Sequence, residues 1–263
     1  MIFLEIFADS SFFTIIALAL LAFVAGFIDA IVGGGGLIQL PALLINFPSE
    51  QLPTLFGTNK IAALSGTSVA AYQYSKKIKF DFKLLIVVSI FAFAASFVGA
   101  KTVSYISVNT LKPVILAILI LIAIYTFLKK DLGSVQTKKL TINKQIFLGS
   151  LIGIIVGFYD GFFGPGTGSF FVLGFVVILG FEFVAASAYS KIINCMTNIS
   201  ALVVFVKQGN YILEIAILMS VCNIIGNIIG SRVALKKGNS FIRIIFLVIV
   251  SIMILRYGYD VFF

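Results

Sequence analysis

Apolar stretches separated by short polar loops fill this chain from end to end. Eight of them are interpreted as full spans of a bilayer whose hydrocarbon is about 30 Å thick, since a helix rises 1.5 Å per residue. They cover about 11–32, 53–74, 83–105, 113–128, 145–163, 184–206, 211–234 and 241–259. Two further stretches, 37–47 and 168–181, are too short to cross. Apolar and polar residues do not alternate as in a β-barrel, so the pattern predicts an all-α polytopic membrane protein with about eight full spans and two short half-helices.

Composition strengthens this prediction and removes several functional classes. The 263 residues are 60% hydrophobic and 11% charged, whereas a soluble domain is usually about one quarter charged. There is no histidine, so a zinc or haem site is not expected, and no cofactor is predicted. The two cysteines, Cys195 and Cys222, lie in apolar stretches and are interpreted as small buried side chains rather than a disulfide.

The two halves of the chain align without a gap at an offset of 131 residues. Gly26, Phe27 and Asp29 fall on Gly157, Phe158 and Asp160. Further matches include Lys60 on Lys191, Lys76 on Lys207 and Gly99 on Gly230. Matches at Asp, Lys and Gly are hard to obtain by chance in an apolar chain, so we infer an internal duplication. The predicted organisation is repeat 1 at 1–130, a cytoplasmic linker at 131–144 and repeat 2 at 145–263.

The distribution of Lys and Arg favours an inverted arrangement of the two repeats. If the short stretches do not change sidedness, the tally, without Lys60 and Lys191, is 11 basic residues inside and 6 outside. If each short stretch returns the chain across the membrane, giving five passes per repeat, the tally becomes 13 to 4. An odd number of passes inverts the second repeat, and this is the arrangement we expect. The net charge of +9 is then explained by inside-facing loops rather than by nucleic acid.

Two glycine-rich motifs interrupt the first helical region of each repeat. They are GFIDAIVGGGG at 26–36 and GFYDGFFGPGTG at 157–168. A helix broken inside a membrane leaves N–H groups without partners, which is tolerated where they line a cavity, and a helix N-terminus attracts anions. Close helix packing is the alternative role of these glycines. The predicted anion-binding residues here are Gly34, Gly35, Gly36, Gly166, Thr167, Gly168 and Ser169.

Each repeat also places one lysine inside an apolar helix beside small polar residues. The motifs are GTNKIAALSGTS at 57–68 and AYSKIINCMTNIS at 188–200, and they add Thr58, Asn59, Lys60, Ser190, Lys191, Asn194 and Asn198 to the candidate substrate site. An intramembrane lysine needs a partner. The partner is either a bound anion or an acid, which would give Asp29–Lys60 and Asp160–Lys191 pairs, each separated by 31 residues. A structural salt bridge, snorkelling of Lys60 and proton transfer by the two aspartates all stay open.

At these residues the sequence resembles the TauE/SafE sulfite exporter family of membrane transporters. The resemblance rests on G-F-I-D-A-I-V-G-G-G-G followed by Pro41, on T-N-K at 58–60, and on the second-half versions, including Y-S-K at 189–191. It covers nearly the whole chain and implies transport of sulfite, organosulfonates or related sulfur-containing anions across the bacterial cytoplasmic membrane. The chain differs between halves at Thr167, where the first half has Gly36, and at Asn59, where the second half has Ser190.

The expected function is therefore secondary transport of a small sulfur-containing anion, with the lipid bilayer and the anion as partners. An anion channel and a transporter of another small organic anion are the alternatives. No nucleophile–base pair and no G-x-x-x-x-G-K-[ST] motif is visible, so neither an enzyme nor a nucleotide-driven pump is expected. Energy would come from a gradient, and coupling to protons or sodium stays open, as does the oligomeric state.

Overall fold

The computed structural model of the chain describes residues 12–103, 116, 120, 133, 135–138 and 140–262, and every regular element in these ranges is helical. The helices are α1 (Phe12–Val32), α2 (Gly36–Asn46), α3 (Leu52–Ser75), α4 (Phe82–Thr102), α5 (Ile142–Phe162), α6 (Thr167–Gly174), α7 (Phe183–Lys207) and α8 (Leu213–Phe262). One π-helical turn, Phe175–Leu179, extends α6. The predicted stretch at 113–128 lies outside the described residues, apart from positions 116 and 120.

Helix ends follow local sequence signals. Asp81 precedes α4 and its carboxylate accepts the Leu84 backbone N–H at 3.0 Å, which satisfies one of the free donors of the first turn. Pro53 stands in the first turn of α3, where a missing N–H costs nothing. Two helical arms of α8 correspond to the predicted stretches at 211–234 and 241–259, and they are separated by a kink at Gly238, whose φ of 74° and ψ of −163° are accessible to glycine.

Five of the described helices are long and apolar enough to cross a membrane. They are α1, α4, α5, α7 and the Leu213–Ile252 part of α8. Two shorter apolar helices, Gly36–Asn46 and Thr167–Leu179, follow the two glycine-rich motifs. Helix α3 has 24 residues, enough for a crossing by length, but it carries Lys60 and many small polar side chains. The chain is thus a multi-pass membrane protein whose described residues form only helices and their connections.

The lysine-bearing helices α3 and α7 run in opposite directions. Near the start of α3, Gly57 lies against Phe205 at the end of α7. A Cβ atom built on Gly57, which has none, would lie 3.1 Å from the Phe205 Cβ. Further along α3, the Ser68 hydroxyl is 3.7 Å from the Cys195 sulfur. Just beyond α3, the Asp81 N–H donates to the Tyr189 hydroxyl near the start of α7 at 2.7 Å. Two helices at equivalent positions of the 131-residue repeat are therefore antiparallel.

Helix contacts in the two halves obey the same offset. Gly26 of α1 packs directly on the backbone of Asn223 in α8, and Gly157 of α5 packs in the same way on Ala92 of α4. Gly157 stands 131 positions after Gly26, and Ala92 stands 131 positions before Asn223, so the second contact is the equivalent of the first. A second set of equivalent contacts shows the same relation: Gly230 packs on the backbone of Phe27, and Gly99 packs on the backbone of Phe158. An added Cβ at any of these glycines would overlap backbone, so close helix approach explains them.

Helices α3 and α8 run side by side in the same direction. The Ile212 N–H, just before α8, donates to the Thr58 hydroxyl near the start of α3 at 2.9 Å. In the middle of α3, Gly66 lies against the amides of Asn223 and Asn227. Towards their other ends, α3 and the arm of α8 before Gly238 line a common cavity that includes Lys76 and Lys236. The basic residues that follow these parallel segments therefore gather at one end of the molecule.

Candidate functional site

Both glycine-rich motifs break the helix and reverse the chain. Helix α1 ends before Gly33, which has φ of 83°, and Gly35 then lies back against Ala25 and Asp29, with 2.8 Å from its added Cβ to atoms of each. In the second half, Gly164 and Gly166 have φ of 95° and 83°. These left-handed conformations favour glycine and explain why glycine stands at both turns.

The two breaks touch each other. The backbone of Gly33 contacts that of Gly168, and a Cβ on Gly36 would lie 3.2 Å from the Pro165 Cα. The Ser169 hydroxyl, at the start of α6, donates to the Val32 carbonyl at the end of α1 at 2.8 Å. The residues of the predicted anion site in the two motifs are thus neighbours in space, and only glycine permits the approach.

Backbone donors at both short helices lack acceptors within the described residues. The first hydrogen bonds of α2 are donated by Leu37 and by residues after it, which leaves the N–H groups of Gly34, Gly35 and Gly36 free. At α6, the N–H groups of Gly166, Gly168 and Ser169 find no backbone acceptor in the same ranges. Free N–H groups at a helix start carry partial positive charge and accommodate an anion.

The two buried lysines pair with aspartates of the opposite repeat. Lys60 Nζ lies 2.6 Å from the Asp160 carboxylate, and Lys191 Nζ lies 3.2 Å from that of Asp29. The predicted pairs Asp29–Lys60 and Asp160–Lys191 are therefore wrong. The physical reason is that each lysine helix packs against the helix break of the other repeat, so a regular spacing within one repeat does not identify the partner. Snorkelling is also wrong for Lys60, which is only 3% exposed.

Lys191 completes a fully capped helix end. Its ammonium donates to the Asp29 carbonyl as well as to the carboxylate, and Thr67 donates to the same carboxylate at 2.9 Å. The next three carbonyls of α1 also receive side-chain donors. The Tyr74 hydroxyl donates to the Ala30 carbonyl at 3.1 Å, and the Ser187 hydroxyl donates to the Ile31 carbonyl at 3.4 Å. The Ser169 hydroxyl donates to the Val32 carbonyl at 2.8 Å. All four terminal carbonyls of α1 are satisfied, which is a structural arrangement.

Lys60 occupies a less saturated environment. At the 131-residue offset, Tyr74, Ser187 and Ser169 become Phe205, Phe56 and Ile38, so no equivalent donors reach the end of α5 from these positions. Lys60 Nζ lies beside Gly164 at the second break, 3.4 Å from where a Cβ atom built on this glycine would stand. The buried Asn59 Oδ1 next to it has no hydrogen-bond partner among the described residues. The duplicated site is therefore unequal in its two copies.

Gln39 is a polar residue of this region that the sequence interpretation missed. It lies in α2, is 1% exposed, and neither its Oε1 nor its Nε2 has a hydrogen-bond partner in the described ranges. A Cβ built on Gly36, one turn earlier on the same face of α2, would lie 3.2 Å from the Pro165 Cα and 3.9 Å from the Asn59 Nδ2. A single glutamine in a short apolar helix was the available signal. Comparison of the halves hid it, because the equivalent position is Phe170.

Several other predicted site residues use their polar atoms within the protein. Thr58 donates to the Thr54 carbonyl at 2.7 Å, and Ser190 donates to the Gly168 carbonyl at 2.9 Å. The Thr167 hydroxyl bonds the Gly164 carbonyl at 2.6 Å. Asn198 donates to the Asn194 side chain at 3.4 Å along one face of α7. These contacts brace the two breaks and α7, whereas the Gln39 amide and the Asn59 Oδ1 have no hydrogen-bond partner in the described part of the chain.

A bundle of apolar helices with paired, re-entrant breaks and buried charges between them defines a membrane transporter. Discontinuous helices that meet inside the bundle are a recurrent binding architecture in such proteins. The model of the family described as Sulfite exporter TauE/SafE matches residues 18–257, and the chain belongs to this family.

Named relatives agree with this assignment. The chain is 38% identical over 245 residues to the probable membrane transporter protein ORF9 of Sinorhizobium sp, covering 93% of this chain and 92% of the relative. It is 35% identical over 242 residues to the probable membrane transporter protein YfcA of Escherichia coli K12, covering 91% and 87%. No solved structure gives a significant match. The chain is thus a multi-pass transporter of the cell membrane, and its relatives are named as transporters rather than enzymes.

Proposed function

We propose that the chain is a secondary transporter of a small sulfur-containing anion, sulfite or an organosulfonate, and that the anion binds at the Lys60 side of the paired breaks. The carrying observation is the buried Gln39 amide, whose Nε2 donor has no hydrogen-bond partner among the described residues, on the short helix α2 that begins with the free N–H groups. A buried polar group without a partner costs roughly 1–3 kcal/mol, so a bound ligand that satisfies it gains affinity there. The sulfur chemistry of the cargo rests on the family's description.

The chemistry of this side suits a small oxyanion. Three glycine N–H groups and the Gln39 amide supply donors, and the positive end of the α2 dipole points the same way. Lys60 supplies a full positive charge that Asp160 now neutralises at 2.6 Å. An arriving anion competes with Asp160 for the ammonium group. In this proposal Lys191 holds the end of α1 and does not bind the substrate.

Displacement of Asp160 offers a route to proton coupling. A carboxylate that loses its cation inside an apolar bundle is costly as an anion, and protonation removes that cost. We therefore propose that one proton enters on Asp160 as the anion takes over Lys60, which would make transport respond to a pH gradient. A sodium-coupled mechanism predicts dependence on a sodium gradient instead, so uptake is measured with a pH gradient alone and with a sodium gradient alone.

The proposed transport cycle uses two inverted repeats with about eight full spans and two short helices. The antiparallel α3 and α7, and the contacts related by the 131-residue offset, support this topology. The cytoplasmic side would be the end where Lys76 and Lys236 lie together. Because both ion pairs join one repeat to the other, movement of the repeats changes both pairs, and substrate binding at Lys60 would lower the barrier to that movement.

Flux into proteoliposomes tests the proposal. Radiolabelled sulfite uptake should saturate, increase with an imposed pH gradient and fall by at least about 100-fold in Lys60→Gln, the effect expected when a buried charge contact of about 3 kcal/mol is lost. Thr67→Val, which alters only the Asp29 side, is the control and should retain uptake. Single-channel currents would identify a channel, and full uptake by folded Lys60→Gln would contradict the proposed site.

A further inference from the structure

A second charged site lies away from the helix breaks, between α3 and the first arm of α8. It is a cavity of about 620 Å³, and four of its lining residues are the cations Lys76, Lys77, Arg232 and Lys236. The described lining includes no carboxylate, and no ion pair to any of the four is present in the described part of the chain. Four unneutralised positive charges around one cavity favour an anionic occupant.

The lining changes character along the helix axis. Val69 and Ile228 line the cavity one to two turns before the cations on their respective helices, and Leu235 lies among the cations of α8. Because α3 and α8 are parallel, both helices change from apolar to basic in the same direction. The cavity therefore has an apolar portion deeper along the helices and a basic portion at their ends, which is the polarity profile of a phospholipid.

The neighbouring surface of α8 faces the hydrocarbon. Val221, Ile225 and Ile229 are 54%, 46% and 42% exposed, on a helix that is apolar enough to span the membrane. At the basic end, Lys76 Nζ lies 4.0 Å from the centroid of the Tyr72 ring, which holds the ammonium at the cavity. An aromatic ring with adjacent cations at a helix end is typical of the headgroup level of a bilayer.

We propose that this cavity binds the headgroup of an acidic phospholipid, with the start of an acyl chain along Val69 and Ile228. Basic pockets between transmembrane helices accept anionic headgroups in this way. The lipid would bridge α3 and α8 where the helices end. The proposal needs only the membrane location of the chain and is independent of the transported substrate.

The internal duplication supplies a matched control. At the 131-residue offset, Lys76 corresponds to Lys207 and Arg232 corresponds to Lys101, whereas Lys77 corresponds to Gln208. The equivalent region thus keeps two of these cations and lacks the Lys77 charge. The double variants Lys76→Gln/Arg232→Gln and Lys101→Gln/Lys207→Gln remove the same number of charges from equivalent positions.

Lipid binding by the purified full-length chain tests the proposal. The chain in neutral detergent is titrated with phosphatidylglycerol or with phosphatidylcholine of the same acyl chains, and retained lipids are counted by native mass spectrometry. We expect preferential retention of phosphatidylglycerol, with affinity reduced on the order of 10-fold in Lys76→Gln/Arg232→Gln and unchanged in the control variant. For each variant, retention of phosphatidylcholine and a monodisperse elution profile verify folding. If the Lys76→Gln/Arg232→Gln variant does not fold, Arg232→Gln alone replaces it.

Three results would overturn the assignment. An equal loss in both double variants would mean that phosphatidylglycerol is attracted by net charge rather than by this cavity. No loss in either variant would mean that these cations do not bind the lipid. Glycerol 1-phosphate is included as a headgroup without acyl chains. If it displaces phosphatidylglycerol at equal concentration, the cavity is a site for small free anions and the apolar portion has no role.

Discussion

At the residue scale, two lysines in equivalent sequence positions have unequal surroundings. Lys191 bonds both the carbonyl and the carboxylate of Asp29, at the end of a helix whose last carbonyls are all capped. Lys60 has the Asp160 carboxylate, and the Oδ1 of the neighbouring Asn59 has no hydrogen-bond partner among the described residues. Buried polar groups are normally satisfied, so the unsatisfied side is the one with capacity for a ligand.

The crossed pairing makes a prediction about rescue. Lys60→Asp places two carboxylates together and should destabilise the protein by about 3–5 kcal/mol, because a broken buried pair leaves an uncompensated charge. Adding Asp160→Lys should restore much of the thermal stability, whereas adding Asp29→Lys should not. Thermal unfolding in detergent measures both. Rescue by Asp29→Lys instead would show that the pairs form within one repeat.

These residue-level features differ in how far sequence predicts them. The identity of the buried charges follows from Asp and Lys standing in apolar stretches. Their pairing does not, because partner choice is set by how the repeats interlock in three dimensions. Gln39 escaped prediction for a related reason. Alignment of the halves selects positions that match, and Gln39 corresponds to Phe170, which does not.

At the element scale, the broken helices depend on glycine for two separate reasons. Gly33 has a positive φ, and it also contacts the backbone of Gly168. Gly209 has a positive φ of 71° with open space around it, so it carries the conformational requirement alone. The two positions therefore separate backbone strain from close packing.

We predict that Gly33→Ala lowers the free energy of unfolding by roughly 2–4 kcal/mol, the sum of left-handed strain and overpacking. Gly209→Ala should cost only about 1 kcal/mol, since strain alone applies. Denaturation of both variants in the same detergent provides the comparison. Equal losses would mean that contact between the two breaks contributes nothing to stability.

Element boundaries were largely predictable because hydropathy and capping determine them. The stretch at 83–105 became Phe82–Thr102, and that at 184–206 became Phe183–Lys207. The kink at Gly238 lies between the two stretches predicted at 211–234 and 241–259. The main difference is the stretch at 168–181, which divides into α6 and a π-helical turn. A π-turn carries no distinct hydropathy signal.

At the scale of the whole molecule, the antiparallel lysine helices place the segments that follow α3 and α7 at opposite ends. Lys77 follows α3, and Lys237 immediately precedes the break in α8, so both stand at one end. Gln208 follows α7 at the end where α3 begins. Basic residues at the first end agree with the predicted inside location, which the charge tally favoured.

Labelling of single cysteines should confirm this arrangement in intact cells. With Cys195 and Cys222 replaced by serine, Lys77→Cys and Lys237→Cys should react only after the membrane is permeabilised. Gln208→Cys should react with an impermeant maleimide from outside. Reaction of Lys77→Cys and Gln208→Cys from the same side would be incompatible with inverted repeats.

The central claim is that unpartnered groups beside Lys60 bind the anion, and Gln39→Leu tests it most directly. Thermal unfolding of the purified protein is followed with and without sulfite, because a ligand of the folded state raises the unfolding temperature. Replacing an unsatisfied buried amide with an apolar side chain should stabilise the ligand-free protein by about 1–3 kcal/mol and abolish the sulfite-induced shift. A Gln39→Leu protein that is less stable without ligand, and that keeps the full sulfite shift, would contradict the account.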